Sequence, residues 1–110
     1  PATTSPEAIA GIIRGEIGFD GLLMSDDVSM KALSGDFASR TEAILAAGCD
    51  VVLHCNGVMA EMRAVADAAP ALSGEALRRA GRALAGLGAH DGADEGEIAA
   101  EFSAMVEAVA

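Results

Sequence analysis

Isoleucines at positions 9, 12, 13 and 17 recur at three- and four-residue steps, so the spacing predicts a helix with one apolar face. Ser5 stands where an N-cap would, Pro6 suits the first helical position, and Glu7 suits the positive end of the helix dipole. Gly18 is a natural stop. Leu22 to Met24 are then consecutively apolar, the pattern of a short strand covered on both faces, as in parallel sheets. Asp26 to about Asp36 reads as a loop with room for one helical turn. Phe37 to Ala47 reads as a second helix closed by Gly48. Val51 to Leu53 reads as a second buried strand, ending at His54-Cys55-Asn56-Gly57. Val58 to Ala68 follows as a third helix. A fourth, capped by Ser73, runs to about Leu87, with Glu75 placed to pair with Arg78 and Arg79 on a solvated face. Gly88 to Gly96, rich in Gly, Ala and Asp, reads as a linker. Glu97 to Val109 reads as a last amphipathic helix whose stripe of Ile98, Phe102, Met105 and Val109 is core or docking surface.

Leu22 and Val51 lie 29 positions apart with a helix between them, the size of one βαβ unit with its expected right-handed crossover. Two parallel strands cannot make a covered sheet alone, since each keeps a free edge. The chain therefore reads as α/β, as units of something larger. A (β/α)8 TIM barrel is the natural parent, and a doubly wound sheet is the competitor.

Composition narrows the partners. The 110 residues are 52% hydrophobic but 3% aromatic, with no Trp or Tyr, so aliphatic side chains must fill any core. A formal charge of -10 argues against a nucleic-acid partner, which needs clustered Lys and Arg. No apolar run approaches the roughly 18 residues of a membrane span, so no membrane partner is expected. The chain opens on Pro1 with the look of a protein's interior and no secretory leader, which reads as a fragment or trimmed product. Cys49 and Cys55 flank an extended segment that holds their Cα atoms roughly 20 Å apart, against a limit of about 7 Å for a disulfide. Two reduced thiols in a cytoplasmic protein are the expectation.

The residues with chemistry to offer gather at the strand ends. Asp26 follows the first strand, where a carboxylate can act as nucleophile or general base in a cleft, or can cap the loop that follows. Asp27 is adjacent, and neighbouring side chains on extended backbone point apart, so Asp27 is expected to bond loop amides or a nearby cation. Met30 could wall a binding pocket or simply pack. Lys31 is expected to be solvated. His54, at the second strand end, is expected to be a hydrogen-bonded structural residue, and His90 to be exposed in the linker. There is no HExxH, no close Cys/His cluster, no phosphate-binding glycine loop, no serine elbow and no CxxC, so no metal and no cofactor are expected.

The run Ile12-Ile13-Arg14-Gly15-Glu16-Ile17-Gly18-Phe19-Asp20-Gly21-Leu22-Leu23-Met24-Ser25-Asp26-Asp27-Val28-Ser29-Met30, with Ser5-Pro6-Glu7 before it, closely resembles family 3 glycoside hydrolases. It is most similar to their bacterial β-N-acetylhexosaminidases, exo-acting enzymes of peptidoglycan recycling. Ala46-Ala47-Gly48-Cys49-Asp50-Val51-Val52-Leu53-His54-Cys55-Asn56 resembles their next barrel strand. The resemblance covers residues 3 to 57 well, and the helical remainder matches only in general character. It implies that residues 1–87 are the C-terminal portion of a (β/α)8 barrel, about two β/α units plus additional helices, with 88–110 a linker and terminal helix. It implies that Asp26 is the nucleophile of a retaining exo-β-N-acetylglucosaminidase acting on terminal N-acetylglucosamine through a covalent glycosyl-enzyme, with Met30 near the substrate. The family's His general acid/base lies in a "KHFPGHG"-like segment absent here, so this chain alone is expected to be inactive. The remainder of the barrel would be its partner.

Two other classes fit parts of the pattern. A strand-end acidic pair is also the mark of a phospho-acceptor domain that binds Mg²⁺. That chemistry needs a further Asp at a neighbouring strand's C-terminal end, and Asp50 lies at the other end. A non-catalytic fragment that self-associates through its strand edges is the second alternative.

Overall fold

The computed structural model describes residues 1–88 and 92–108. His90 and Val109, singled out above, lie outside them. Residues Ala2–Thr4 make one 3₁₀ turn, and Glu7–Glu16 form a π-helix. The Ser5 hydroxyl accepts from the Ala8 amide at 3.2 Å, the cap its position implied. The winding is visible at the end, where the Ile17 amide donates to the Ile12 carbonyl at 2.8 Å, five residues back. This changes which isoleucines share a face. Ile9 is buried and Ile13 packs on the core, four residues on, whereas Ile12 and Ile17 are exposed. Wider winding puts more residues in each turn, so the three-residue step of an α-helical stripe no longer returns to the same side.

β1 runs Met24–Asp27, two residues later than hydrophobicity implied, and β2 runs Val51–Leu53 as expected. Burial and ladder bonding have separated here. Leu22 and Leu23 are the partly covered residues, while Met24 is 52% exposed. The ladder continues through polar residues because Ser25 and Val28 bond Leu53 from either side. The two strands are parallel, with Met24 opposite Val51 and Asp27 opposite Leu53. Neither strand is buried on both faces as expected, since a two-stranded sheet lacks a second covering layer.

α1 (Phe37–Ala47) joins the strands. Asp36 caps it, accepting from the Ser39 amide at 2.8 Å, and Gly48 closes it in the left-handed region at φ 110. A side chain at Gly48 would also meet Ile9 Cγ2 at 3.1 Å, so only glycine suits the turn. α2 is Met59–Ala68, α3 Gly74–Ala85, and α4 Glu95–Glu107. Ser73 sits at the N-cap of α3, but its hydroxyl takes no capping bond. α4 begins two residues before the expected Glu97, because the Asp94 carboxylate accepts from the Glu97 amide at 3.0 Å and fixes the start there. Ile98, Phe102 and Met105 are exposed on it, not core.

The core is Ile9, Val28, Leu33, Ile44, Ala47 and Cys49, with Leu23, Phe37, Val52 and Val65 against it. It is aliphatic, as the composition required, and lies where the π-helix, α1 and the sheet meet. Cys49 is buried, which pushes its thiol up, and Cys55 is exposed; both are free.

The arginines of α3 do more than the solvated pairing with Glu75 expected of them. Arg79 Nη1 reaches the Asp50 carboxylate at 3.0 Å, and Arg14 Nη2 reaches its other oxygen at 2.7 Å. That oxygen also accepts from the Leu23 amide at 2.8 Å. Arg78, Arg79 and Arg82 converge on Asp20. One cluster thus ties the π-helix, the entry to both strands and α3 together. Burial pushes the Asp50 carboxyl up, but the Leu23 amide, Arg79 and Arg14 outweigh it and hold it low. Hydrogen bonds from Arg82 and Arg78 bring Asp20 down from 3.8 to about 2.

Both groups are depressed in the folded chain, so their stabilisation is fully present above the ordinary carboxylate range and is lost as pH falls from there to the depressed values, about 2 for Asp20. The urea midpoint of the chain should drop as pH is taken from 5 towards 2, and Asp20→Asn should flatten the curve. A midpoint constant across that range would show that the cluster adds nothing.

Candidate active site

The strand ends hold Asp26, Asp27 and His54 together, as the sequence placed them. Asp26 is exposed, and its Oδ1 accepts from the Asp27 amide at 2.8 Å. Among the described residues its Oδ2 has no bond. Asp27 is the structural partner expected of it. Its Oδ1 accepts from the Ser29 amide at 3.0 Å and the Cys55 amide at 3.2 Å, and its Oδ2 accepts from the Ser29 hydroxyl. Those bonds, from Ser29 first, hold the Asp27 carboxyl below its ordinary value. One carboxylate is thus spent on tying the loop to β2, and the other stays open for chemistry.

Between Met24 and Asp27 the pairing slips. β1 spans three steps while β2 spans two, so Ser25 and Asp26 together stand opposite Val52. This is a β-bulge, a feature that re-aims side chains and clusters beside active sites. Hydrophobic patterning gave no sign of it.

The loop after β1 is built from two tight turns, Met30 N to Asp27 O at 3.1 Å and Leu33 N to Met30 O at 3.2 Å. Met30 and Lys31 are exposed on it. Arg40 braces this loop from the first turns of α1, donating to the Gly35 and Val28 carbonyls at 3.0 Å and to Met30 O at 3.4 Å. Its guanidinium also lies 5.5 Å from the Phe37 ring centroid. The sequence offered one hint of this role, a lone cation four residues beyond the Asp36 cap.

His54 is the structural residue expected. Its side chain is 8% exposed, Nε2 lies 2.9 Å from Glu61 Oε2, and the ring meets Phe37 edge-on at 5.8 Å. Glu61 was the unforeseen partner, brought over by the first turn of α2. The described residues contain no group of three side chains able to hold a metal ion, and no described helix is long and apolar enough to cross a membrane. A cavity of about 420 Å³ lies at the other end of the sheet, lined by Leu45, Asp50, Val51, Pro70 and Leu72 among others, and none of the strand-end residues reaches it.

Comparison with known proteins adds the chain's relatives. Residues 1–81 match the model of the glycosyl hydrolase family 3 N terminal domain. A beta-hexosaminidase of Pseudomonas aeruginosa (strain LESB58) is 53% identical over 58 residues, 51% of this chain and 18% of that protein. One of Stenotrophomonas maltophilia (strain K279a) is 43% identical over 89 residues, 79% of this chain and 24% of that protein. One of Bordetella avium (strain 197N) is 47% identical over 58 residues, 51% of this chain and 17% of that protein. The chain spans less than a quarter of the length of these curated relatives.

Proposed function

The chain belongs to glycosyl hydrolase family 3, and on that premise we propose that it carries the nucleophile of a retaining exo-β-N-acetylglucosaminidase. The observation that carries the reading is Asp26. It is an exposed carboxylate at the end of a strand, with one oxygen held by the next amide and the other unbonded among the described residues.

In this reading Asp26 Oδ2 attacks the anomeric carbon of a terminal N-acetylglucosamine. The glycosidic C–O bond breaks and its electron pair leaves with the aglycone oxygen, which takes a proton from a general acid. A covalent glycosyl-enzyme results. Water then attacks the same carbon from the opposite face and gives its proton to the base form of that general acid, the carboxylate leaves, and configuration is retained. The general acid belongs to the part of the barrel outside this chain, so the chain alone is inactive. Peptidoglycan-derived glycans are the substrate, and the cytoplasm, where two free thiols stay reduced, is the compartment. Met30, exposed on the turn beyond Asp26, lines the sugar's approach. Residues 1–87 are the end of the barrel and 88–110 a linker and terminal helix. Among the described residues the two strands of the sheet each keep one unpaired edge, and we assign those edges to the remaining barrel strands.

The test is covalent trapping. The full-length protein, treated with an activated fluorinated N-acetylglucosaminyl donor, should gain one glycosyl mass on the peptide that contains Asp26. Label on another carboxylate, or the α-anomer as first product, would overturn the assignment.

A further inference from the structure

We propose that Ser25 is a positioning residue that sets the aim of Asp26 by holding the bulge in β1; this rests on the reading of Asp26 as nucleophile. A bulge puts an extra residue on one strand and disturbs the ladder beside it. Just past it, where Leu53 stands opposite Asp27, the Leu53 amide donates to Ser25 Oγ at 3.0 Å. The same hydroxyl donates onward to the Asp26 carbonyl at 2.7 Å. One side chain uses both its donor and an acceptor position to bridge the gap. Ser25 is 6% exposed, so bulk water does not reach the gap.

The consequence falls on Asp26. Its carbonyl is tied by Ser25 on one side, and its carboxylate is tied by the Asp27 amide on the other. Its peptide and its side chain are therefore both fixed, with Oδ2 left over. Alanine at position 25 would remove the hydroxyl that links the Leu53 amide to the Asp26 carbonyl. The strand would relax toward regular pairing, and a shift of one residue turns a side chain to the opposite face of a sheet. A nucleophile displaced by about 1 Å can lose on the order of 10²-fold in rate.

The experiment compares wild type, Ser25→Ala, Ser25→Thr and Asp26→Ala in the full-length protein, using 4-nitrophenyl N-acetyl-β-glucosaminide and thermal unfolding. Ser25→Ala should lower kcat by about 10- to 100-fold with KM little changed, because substrate contacts are untouched. Ser25→Thr keeps the hydroxyl and should recover most of the loss. Should Ser25→Ala fail to fold, Ser25→Cys, whose thiol is a weak donor and acceptor, is read in its place. Near-normal kcat in Ser25→Ala overturns the proposal, as do losses in the Ala and Thr variants that simply track their thermal destabilisation. Near-normal turnover in Asp26→Ala would instead overturn the nucleophile reading beneath it.

Discussion

Asp26→Ala in the full-length protein should cut turnover of a chromogenic β-N-acetylglucosaminide by about 10³-fold or more, with thermal unfolding close to wild type. The two halves of that expectation have separate causes. Turnover falls because no other carboxylate in the described strand ends is free to attack. Asp27 is occupied by Ser29 and Cys55, and Glu61 faces His54. Stability is spared because Asp26 is exposed and its side chain accepts one bond, from its own neighbour. Azide supplies an independent readout. It is small enough to occupy the space left by the carboxylate, and it should restore turnover while producing the α-glycosyl azide, since nothing then displaces it. Retained activity in the alanine variant, or rescue giving only the β-azide, would rule out Asp26 as the attacking group.

Asp50→Ala should destabilise the chain strongly, by about 3 kcal/mol. The Asp50 side chain is 5% exposed and sits between Arg14 and Arg79, whose side chains are 17% and 16% exposed. Removing it takes a carboxylate from two mostly covered guanidinium groups and the acceptor from the Leu23 amide. A domain of this size holds only about 5–15 kcal/mol in total, so the loss is a large share. Asp50→Asn separates the contributions. It keeps an acceptor for Leu23 but gives up the charge, and should fall between alanine and wild type. Urea denaturation of the three chains followed by circular dichroism reads the order. An alanine variant as stable as wild type would mean that the arginines find solvent without cost and that the cluster is ornamental.

Much of this was legible in the residues themselves. Helix bounds at Phe37–Ala47 followed from Gly48, whose left-handed conformation is local chemistry. The bonding of Asp27 to loop amides followed from backbone alternation, and the family from a contiguous run of residues around it. What failed in the reading failed for physical reasons. The isoleucine stripe assumed α-helical winding, but the π-helix moved Ile12 off the buried side and ended before Ile17. The strand was placed by hydrophobicity, but strands are defined by bonding, and the ladder ran on through Ser25, Asp26 and Asp27.

The sequence by itself determined which residue types stand at the strand ends, the aliphatic nature of the core and the order of the elements, because these depend on composition and on neighbours a few positions apart. Only the tertiary structure decided that Asp50 is clamped by Arg14, 36 positions before it, and Arg79, 29 after. It alone decided that Glu61 seats His54, that Cys55 pins Asp27, and that one serine hydroxyl fills a gap between strands. Each of these is a bond between segments whose meeting depends on how the chain closes on itself. Local pattern carries no record of register, and in β1 a register offset of a single residue falls at Ser25 and Asp26.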